Sequence, residues 1–129
     1  DGSIATATGI AIASEPSVTT RALIGDLTFF HDAGSLALWQ GTESEATEPN
    51  IQIIVGNDNG GAIFRGLEVR DQVDQAAFEL LFETPQQISI PDLAAAYGWK
   101  HILISNIQTL GSALSTPGRV VIEVLLNRD

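Results

Sequence analysis

The stretch Arg21-Ala22-Leu23-Ile24-Gly25-Asp26-Leu27-Thr28 decides the fold, because a short aliphatic run stops there abruptly at a glycine and an aspartate. A second stretch has the same pattern: Ile51-Gln52-Ile53-Ile54-Val55 leads through Gly56 to Asn57-Asp58-Asn59-Gly60-Gly61. Both runs are too short for helices and consist mainly of aliphatic residues. They predict two parallel strands that end at a ligand crevice.

Two carboxylates follow the predicted strands. A Mg²⁺ ion bound to a phosphate typically takes one or two protein carboxylates, and phosphate oxygens, a main-chain carbonyl or waters complete its shell. Asp26, Asp58 and the carbonyl of Gly60 can supply such a site, and the glycines would let the backbone approach the ligand closely. Gly-Asp after a strand is also common turn chemistry, so the spacing alone leaves an ordinary loop open as an alternative.

The rest of the chain alternates between helical and extended patterns. Apolar periodicity and helix-stop residues predict helices over residues 4–13, 29–39, 72–82, 91–97 and 107–114. Aliphatic runs predict two further strands, over residues 101–104 and 119–126. Strands that alternate with helices indicate an α/β fold. We expect a mostly parallel sheet flanked by helices on both faces, in a single domain spanning residues 1–129.

The composition argues against several classes of function. The 129 residues include 16 acidic and 6 basic side chains, a formal net charge of −10, which argues against binding to nucleic acid or an anionic membrane. Without cysteine, the chain can form neither a disulfide nor a thiolate metal site. Neither a Gly-x-Ser-x-Gly, a Walker P-loop nor a Gly-x-Gly-x-x-Gly pattern occurs, which removes the main support for hydrolase, ATP or NAD chemistry.

Gly25-Asp26 followed by Asn57-Asp58-Asn59 resembles the diphosphate and Mg²⁺ motif of thiamine diphosphate enzymes, which usually reads Gly-Asp-Gly, a spacer and Asn-Asn. Leu27 in place of the last glycine, and the run Asn59-Gly60-Gly61-Ala62-Ile63-Phe64, resemble one family in particular. That family is the 2-succinyl-5-enolpyruvyl-6-hydroxy-3-cyclohexene-1-carboxylate (SEPHCHC) synthases of menaquinone biosynthesis. The similarity runs from residues 1–9 to residues 120–124, so it covers nearly the whole chain.

The resemblance implies a thiamine diphosphate-binding fold and a set of site residues. It assigns Mg²⁺ to Asp26, Asp58 and the Gly60 carbonyl. It assigns contacts with thiamine diphosphate to Gly25, Asp26, Leu27, Thr28, Asn57, Asn59, Gly61, Ile63, Phe64 and Leu67. Most of the superfamily carries Asn where this chain has Asp58, so Asn59 is a second candidate for that ligand. For Ile63, Phe64 and Leu67, plain packing in the core is an equal alternative.

The resemblance also implies the function of the whole protein. SEPHCHC synthases are transferases that decarboxylate 2-oxoglutarate and add the succinyl-semialdehyde carbanion to isochorismate. Their cofactor lies between two different domains, so we expect this chain to be the carboxy-terminal fragment, without the pyrimidine-binding domain and catalytically silent alone. A cytoplasmic homo-oligomer is implied as well. The alternatives are another thiamine diphosphate-dependent decarboxylase or synthase, and a non-catalytic module that binds a nucleotide or metal.

Several further polar residues have ordinary structural explanations. We expect His31 and Asp32 on the surface of the helix after the first motif, because adjacent helical residues point in different directions. His101, where the strand predicted over residues 101–104 starts after Gly98, is expected to be a loop histidine rather than a ligand. Arg65 and Arg70 are expected in surface ion pairs of an acidic chain. The acidic insert at residues 42–49 makes the spacer between the two motifs longer than usual in the family, and we expect it to be a solvated loop.

Overall fold

The computed structural model describes residues 2–39 and 48–127. Within these residues, four parallel strands form one sheet in the order β1-β2-β4-β3. The strands are β1 (Thr20–Gly25), β2 (Ile51–Asn57), β3 (Lys100–Ile104) and β4 (Arg119–Leu125). Each strand coincides to within two residues with an aliphatic run of the sequence, which confirms the predicted strands.

Helical segments connect the strands, and most of them are only a few residues long. The α-helices are α1 (Ser3–Ala13), α2 (Asp26–His31), α3 (Gln75–Phe78), α4 (Ile90–Ala96) and α5 (Leu110–Ala113). Turns of 3-10 helix cover Ala33–Trp39, Ala62–Gly66, Glu68–Asp71 and Ile107–Thr109, and a π-helical turn covers Glu79–Glu83. The predicted helices at residues 4–13 and 91–97 are confirmed as α1 and α4.

The sheet carries a hydrophobic core on each face. On the larger face, Val121 of β4 packs in one cluster with Phe29 of α2 and Ala94 of α4. On the opposite face, Ile122 of β4 packs with Ala113 of α5. Successive residues of one strand therefore serve opposite cores, as the two-residue period of a strand requires. The predicted α/β fold, with helices on both faces of a parallel sheet, is confirmed.

The predicted helix over residues 29–39 is wrong in its bounds. α2 begins at Asp26, directly after β1, and ends at His31, and a 3-10 helix follows from Ala33. The break falls at Asp32, whose Oδ1 accepts a hydrogen bond of 2.6 Å from the Ser35 hydroxyl. Local hydrogen bonds of this kind compete with the helical ladder and favour its end.

The predicted helices over residues 72–82 and 107–114 are also divided. Asp74 accepts a hydrogen bond from the N–H of Ala77, so α3 begins only after residue 74, and the π-helical turn continues from it. In the same way Asn106 accepts a hydrogen bond from the N–H of Gln108, where a 3-10 turn precedes α5. Both starts follow the preference of Asp and Asn for the capping position of a helix.

Asp32 is half-buried and caps α1, so the expectation that it is a surface residue is wrong. Its Oδ2 accepts hydrogen bonds from the N–H groups of Ile4, at 2.6 Å, and Ala5, at 3.0 Å. Both groups lie in the first turn of α1, where backbone N–H groups have no partner inside the helix. Gly2, the residue before α1, has no side chain that could accept these hydrogen bonds. His31 is exposed, as expected.

These hydrogen bonds set the titration of Asp32. Burial alone would raise the pKa of this carboxyl, but the Ser35 hydroxyl and the N–H groups of Ala5 and Ile4 stabilise its ionised form. The pKa therefore lies below its ordinary value of 3.8. A carboxyl with a lowered pKa stabilises the fold above its unfolded pKa, and this contribution disappears as the pH falls through the folded pKa.

We expect Asp32→Ala to lower the free energy of unfolding by about 1–2 kcal/mol at pH 7, the typical effect of removing a helix cap. The difference from the unmodified chain should be full well above pH 3.8 and should shrink as the pH falls through the lowered folded pKa. Denaturant unfolding at a series of pH values measures both effects. Asp71→Ala, which removes an exposed carboxylate, is the matched control. An Asp32→Ala deficit that persists unchanged at low pH contradicts this role.

Part of the acidic insert can be placed. Residues 42–47 lie outside the described residues. Glu48, near the end of the insert, accepts a hydrogen bond of 2.7 Å from Nε of Arg119, at the start of β4. In the two stretches that the structure describes, every helix is too short or too polar to span a lipid bilayer.

Candidate functional site

A cleft of about 390 Å³ opens at the carboxyl ends of β1 and β2. These ends meet because the strands are neighbours and parallel, with Gly25 paired to Gly56. The wall of the cleft consists of Ile24, Gly25, Asp26, Leu27, Thr28, Gly56, Asp58, Gly60, Gly61, Ile63, Phe64 and Leu126. The structure thus brings together most of the residues predicted from the two motifs. Asn57, Asn59 and Leu67 do not belong to this wall.

Asp26 is the buried carboxylate of the cleft, with 2% of its surface exposed. Its Oδ1 accepts a hydrogen bond of 2.9 Å from the N–H of Leu27, and its Oδ2 accepts one of 2.6 Å from the N–H of Gly60. The second bond joins the end of β1 to the turn after β2. Asp26 therefore holds the two motifs together, although they are far apart in the sequence.

Burial raises the pKa of the Asp26 carboxyl above its ordinary value. The N–H groups of Leu27 and Gly60 counter part of this shift, and the negative charge of Asp58 adds to it. Two carboxylates that repel each other in a partly buried cleft are costly without a counter-charge. A bound cation would favour the ionised form of Asp26.

The turn after β2 is held by the side chain of Asn57. Its Oδ1 accepts a hydrogen bond of 2.9 Å from the N–H of Asn59, and its Nδ2 donates one of 2.6 Å to Oε1 of Glu123. Asn59 has a φ of 62°, a left-handed conformation that Asn tolerates better than most residues. Asn57 therefore shapes the turn, and its predicted contact with a cofactor stays a prediction.

Gly60 and Gly61 bring the turn into contact with the end of the π-helical turn. The N–H of Gly61 donates a hydrogen bond of 2.7 Å to the carbonyl of Glu83. A Cβ built on Gly60 would lie 2.3 Å from the same carbonyl oxygen, and one built on Gly61 would lie 2.7 Å from that of Phe82. Gly60 also has a φ of 130°, which L side chains rarely adopt. Glycine is therefore required at Gly60 by this backbone arrangement.

Ile63, Phe64 and Leu67 are not core residues of this chain. Ile63 is 83% exposed, Leu67 is 48% exposed and Phe64 is 38% exposed. Ile63 and Phe64 line the cleft, whereas Leu67, which follows the 3-10 turn Ala62–Gly66, does not. The alternative that these three residues pack in the core is therefore wrong within the described structure. An apolar wall beside two carboxylates can receive a ligand that is charged at one end and apolar at the other.

Arg65 forms a two-point ion pair with Glu83. Its Nε and Nη2 donate hydrogen bonds of 2.5 and 3.0 Å to the two carboxylate oxygens, and Glu83 is buried. The predicted ion pair of Arg65 is confirmed, but its partner is a buried glutamate that no sequence pattern singles out. The expected ion pair of Arg70 is not found among the described residues; its guanidinium lies instead over the ring of Phe78, 5.3 Å from the ring centre, a cation–π arrangement.

His101 lies inside β3, so its placement in a loop is wrong. Its Nε2 is 2.8 Å from Oε2 of Glu123, a residue of β4 that is 6% exposed. Glu123 thereby joins His101 to Asn57 across three neighbouring strands. Sequence reasoning missed Glu123, because a glutamate within an aliphatic run does not reveal which side chains of other strands it will meet.

The donor set of the cleft suits a cation that retains ligands from outside the protein. Among the described residues, no group of three or more His, Cys, Asp or Glu side chains could surround a metal ion. Of the residues that the structure describes, Asp26 and Asp58 provide the carboxylates that line the cleft. Mg²⁺ bound through a phosphate needs only one or two of them, because phosphate oxygens, carbonyls and waters fill the other positions.

Comparison with known proteins gives one consistent result for nearly the whole chain. It is 47% identical over 139 aligned positions to a SEPHCHC synthase of Leifsonia xyli subsp. xyli, covering 99% of this chain and 23% of that protein. Similar proteins of the same name occur in Clavibacter michiganensis subsp. michiganensis, at 43% identity, and Paenarthrobacter aurescens, at 46%. Those matches cover 99% and 100% of this chain but 22% and 23% of the relatives. No family model matches the chain.

Proposed function

Since this chain is homologous along nearly its entire length to a segment of the SEPHCHC synthases, we propose that it binds the diphosphate and Mg²⁺ of thiamine diphosphate in such an enzyme. The observation that carries the proposal is the cleft at the ends of β1 and β2. It combines the buried carboxylate of Asp26, the second carboxylate of Asp58 and an apolar wall.

The residues of the cleft fit a diphosphate held through a cation. Asp26 and Asp58 are the proposed carboxylate ligands, and the Gly60 carbonyl is the proposed main-chain ligand, with Asn59 as the alternative to Asp58. The raised pKa of Asp26 supports a cation here, because an uncompensated carboxylate in this position is unfavourable. Nothing lies within 4 Å of a Cβ built on Gly25, so the wall has room for a ligand at that point.

The apolar wall fits the other end of the cofactor. Ile63 and Phe64 extend from the turn of 3-10 helix over the same cleft. When bound, thiamine diphosphate supplies the carbanion chemistry of the reaction. The proposed work of this chain is to anchor the charged end through Asp26 and Asp58, and to keep water from the reacting end with Ile63 and Phe64. Exclusion of water strengthens electrostatic interactions in a site.

The activity of the whole protein is part of the proposal. We propose that it decarboxylates 2-oxoglutarate and adds the resulting succinyl-semialdehyde carbanion to isochorismate in menaquinone biosynthesis. We also propose that it is a cytoplasmic homo-oligomer. The chain spans only 22–23% of the length of the relatives above, so a further, pyrimidine-binding domain is proposed to complete the site. The chain alone is therefore proposed to be catalytically silent. Large exposed apolar side chains support burial against other domains: Leu23, Ile63, Leu80, Leu81 and Ile107.

Thermal unfolding of the chain with and without ligands tests the proposed binding. We expect thiamine diphosphate to raise the melting temperature in the presence of Mg²⁺ and to have little effect in its absence. At a ligand concentration about 100 times the dissociation constant, the stabilisation amounts to about 2.7 kcal/mol. Thiamine, which lacks the diphosphate, and ADP, which carries a diphosphate on a different base, serve as control ligands.

The controls separate the alternatives. Stabilisation by thiamine diphosphate alone among the three ligands supports the proposal. Equal or greater stabilisation by ADP favours a nucleotide-binding module instead. A chain that responds to none of the ligands, at any Mg²⁺ concentration, contradicts the view that this segment carries a preformed half of the site. Substrate profiling of the complete protein then separates SEPHCHC synthase from another thiamine diphosphate enzyme.

A further inference from the structure

We propose that Glu123 and His101 are positioning residues that hold the turn over residues 57–60 in the conformation needed at the cleft. Neither residue lines the cleft itself, and both act through the side chain of Asn57. The inference rests on the proposed function for the purpose of the turn. Its structural content, that a glutamate and a histidine of neighbouring strands set the shape of this turn, stands independently.

The sheet brings the three side chains together from three different strands. β4 lies between β2 and β3, and Glu123 of β4 is level with Val55 on one side and Leu103 on the other. Asn57 and His101 are each two positions away from those partners, toward opposite ends of their strands. Side chains two positions apart share a face of a strand. Glu123 can therefore reach one of them with each oxygen.

The hydrogen bonds are short and the central group is buried. Oε1 of Glu123 accepts a hydrogen bond of 2.6 Å from Nδ2 of Asn57, and Oε2 is 2.8 Å from Nε2 of His101. Glu123 is 6% exposed, and a carboxylate at such depth is costly without partners. His101 occupies one oxygen and so fixes the direction of the carboxylate. The other oxygen is then directed at Asn57.

The side-chain amide of Asn57 is planar, so a hydrogen bond that holds its nitrogen also orients its oxygen. Because Nδ2 of Asn57 is held by Glu123, its Oδ1 is held toward the N–H of Asn59, 2.9 Å away. This hydrogen bond closes the turn that puts Asn59 in its left-handed conformation and directs the N–H of Gly60 to Oδ2 of Asp26, at 2.6 Å. A hydrogen-bonded path thus runs from the far edge strand to the buried carboxylate of the cleft.

The alternative is a purely structural role, in which the network stabilises the sheet as any satisfied buried polar group does. The two roles differ in what happens locally. A structural residue changes the global stability of the chain, whereas a positioning residue also loosens the turn relative to the rest of the sheet. Gln52 provides a matched control, because it is a buried polar residue of β2, the strand that also contains Asn57. Its side chain donates hydrogen bonds to the carbonyls of Leu114 and Thr116.

Amide hydrogen exchange of the ligand-free chain, followed by NMR, measures the loosening. We expect the buried N–H of Gly60 to exchange roughly tenfold faster or more in Glu123→Ala than in Gln52→Ala, when the two are compared under conditions of equal global stability. His101→Ala is expected to raise the exchange rate of the Gly60 N–H as well, by a smaller factor. Glu123→Gln, which keeps an oxygen that can accept from Asn57, is expected to restore slow exchange in part.

Gly60 exchange in Glu123→Ala that is no faster than in Gln52→Ala overturns the inference. A second measurement is the Mg²⁺ concentration that gives half of the thermal shift with thiamine diphosphate. We expect Glu123→Ala to raise it about tenfold, in line with the loss of a group that orients a metal-site residue, and Gln52→Ala to leave it unchanged. If the unmodified chain shows no Mg²⁺ response, the proposed function fails, while the exchange result still decides whether Glu123 positions the turn.

Discussion

Replacing Asp26 with Ala is expected to weaken strongly the Mg²⁺-dependent stabilisation of the chain by thiamine diphosphate. Asp26 is the most deeply placed carboxylate of the cleft and one of two proposed for the cation. Loss of a residue that merely orients a metal ligand already costs about 10–100-fold in affinity. We therefore expect the half-saturating Mg²⁺ concentration to rise by roughly 100-fold or more. Thermal unfolding over a Mg²⁺ series at a fixed excess of thiamine diphosphate gives this number.

The Ala variant also removes the acceptor of two backbone hydrogen bonds, from Leu27 and Gly60. Its free energy of unfolding without ligand should fall by about 1–3 kcal/mol for that reason alone. Asp26→Asn separates the two effects, since the amide retains one oxygen as an acceptor but carries no charge. Asp71→Asn removes an exposed carboxylate and should leave the Mg²⁺ response intact. A normal Mg²⁺ response in Asp26→Asn contradicts the assignment of Asp26 to the cation.

The same titration decides between the two candidates for the second ligand. Asp58 lines the cleft and shifts the titration of Asp26, which supports it as the ligand. Asn59 is held in a left-handed conformation in the same turn. If Asp58 binds the cation, Asp58→Ala weakens the Mg²⁺ response strongly and Asn59→Ala does so only slightly. The reverse order of the two variants would transfer this role to Asn59.

Replacing Gly60 with Ala is expected to lower the free energy of unfolding by about 3 kcal/mol. The new Cβ would lie 2.3 Å from the carbonyl oxygen of Glu83, a backbone atom that cannot move aside cheaply. The φ of 130° adds strain, and each of these two effects typically costs on the order of 1–3 kcal/mol. Denaturant unfolding of the ligand-free chain measures the loss.

Gly66→Ala is the matched control for this variant. Gly66 ends the 3-10 turn Ala62–Gly66 of the same segment, and nothing lies within 4 Å of a Cβ built there. We expect the control to be neutral or stabilising by up to about 1 kcal/mol, through the unfolded state. Gly60→Ala should also weaken the Mg²⁺ response, because relief of the clash displaces the turn. Equal stability of the two variants would show that the turn adapts to a side chain at Gly60.

The sequence predicts the part of the fold that depends on local pattern. β1 and β2 follow from their aliphatic runs, and their parallel pairing brings Asp26 to the turn at Gly60 without further information. Helix bounds are less predictable where polar side chains compete for the backbone. Asp32 ends α2 and caps α1 instead, a choice that depends on where α1 packs. That packing is not written in the sequence around residue 32.

The candidate site is likewise predictable only where its residues act on the backbone next to them. Glycines and acidic residues after a strand indicate the cleft, because they act on the backbone next to them. Glu83 and Glu123 could not be identified in this way, since each is buried against partners that only tertiary structure supplies. Arg65 and Glu83 meet because the 3-10 turn Ala62–Gly66 packs against the π-helical turn Glu79–Glu83. His101 and Glu123 meet because of the register between β3 and β4. Neither contact leaves a periodic pattern in the sequence.

The position of β4 has a consequence for synthesis on the ribosome. In the described sheet, β3 pairs with β4 alone, and β4 also pairs with β2. The last of the four strands to be translated, β4, therefore lies between β2 and β3. β1 and β2, which carry the cleft, can pair while the nascent chain is still growing. β3 must wait for residues 119–125 to leave the exit tunnel. The half of the sheet that bears the cleft can thus form first, and the other half can form only once β4 has emerged.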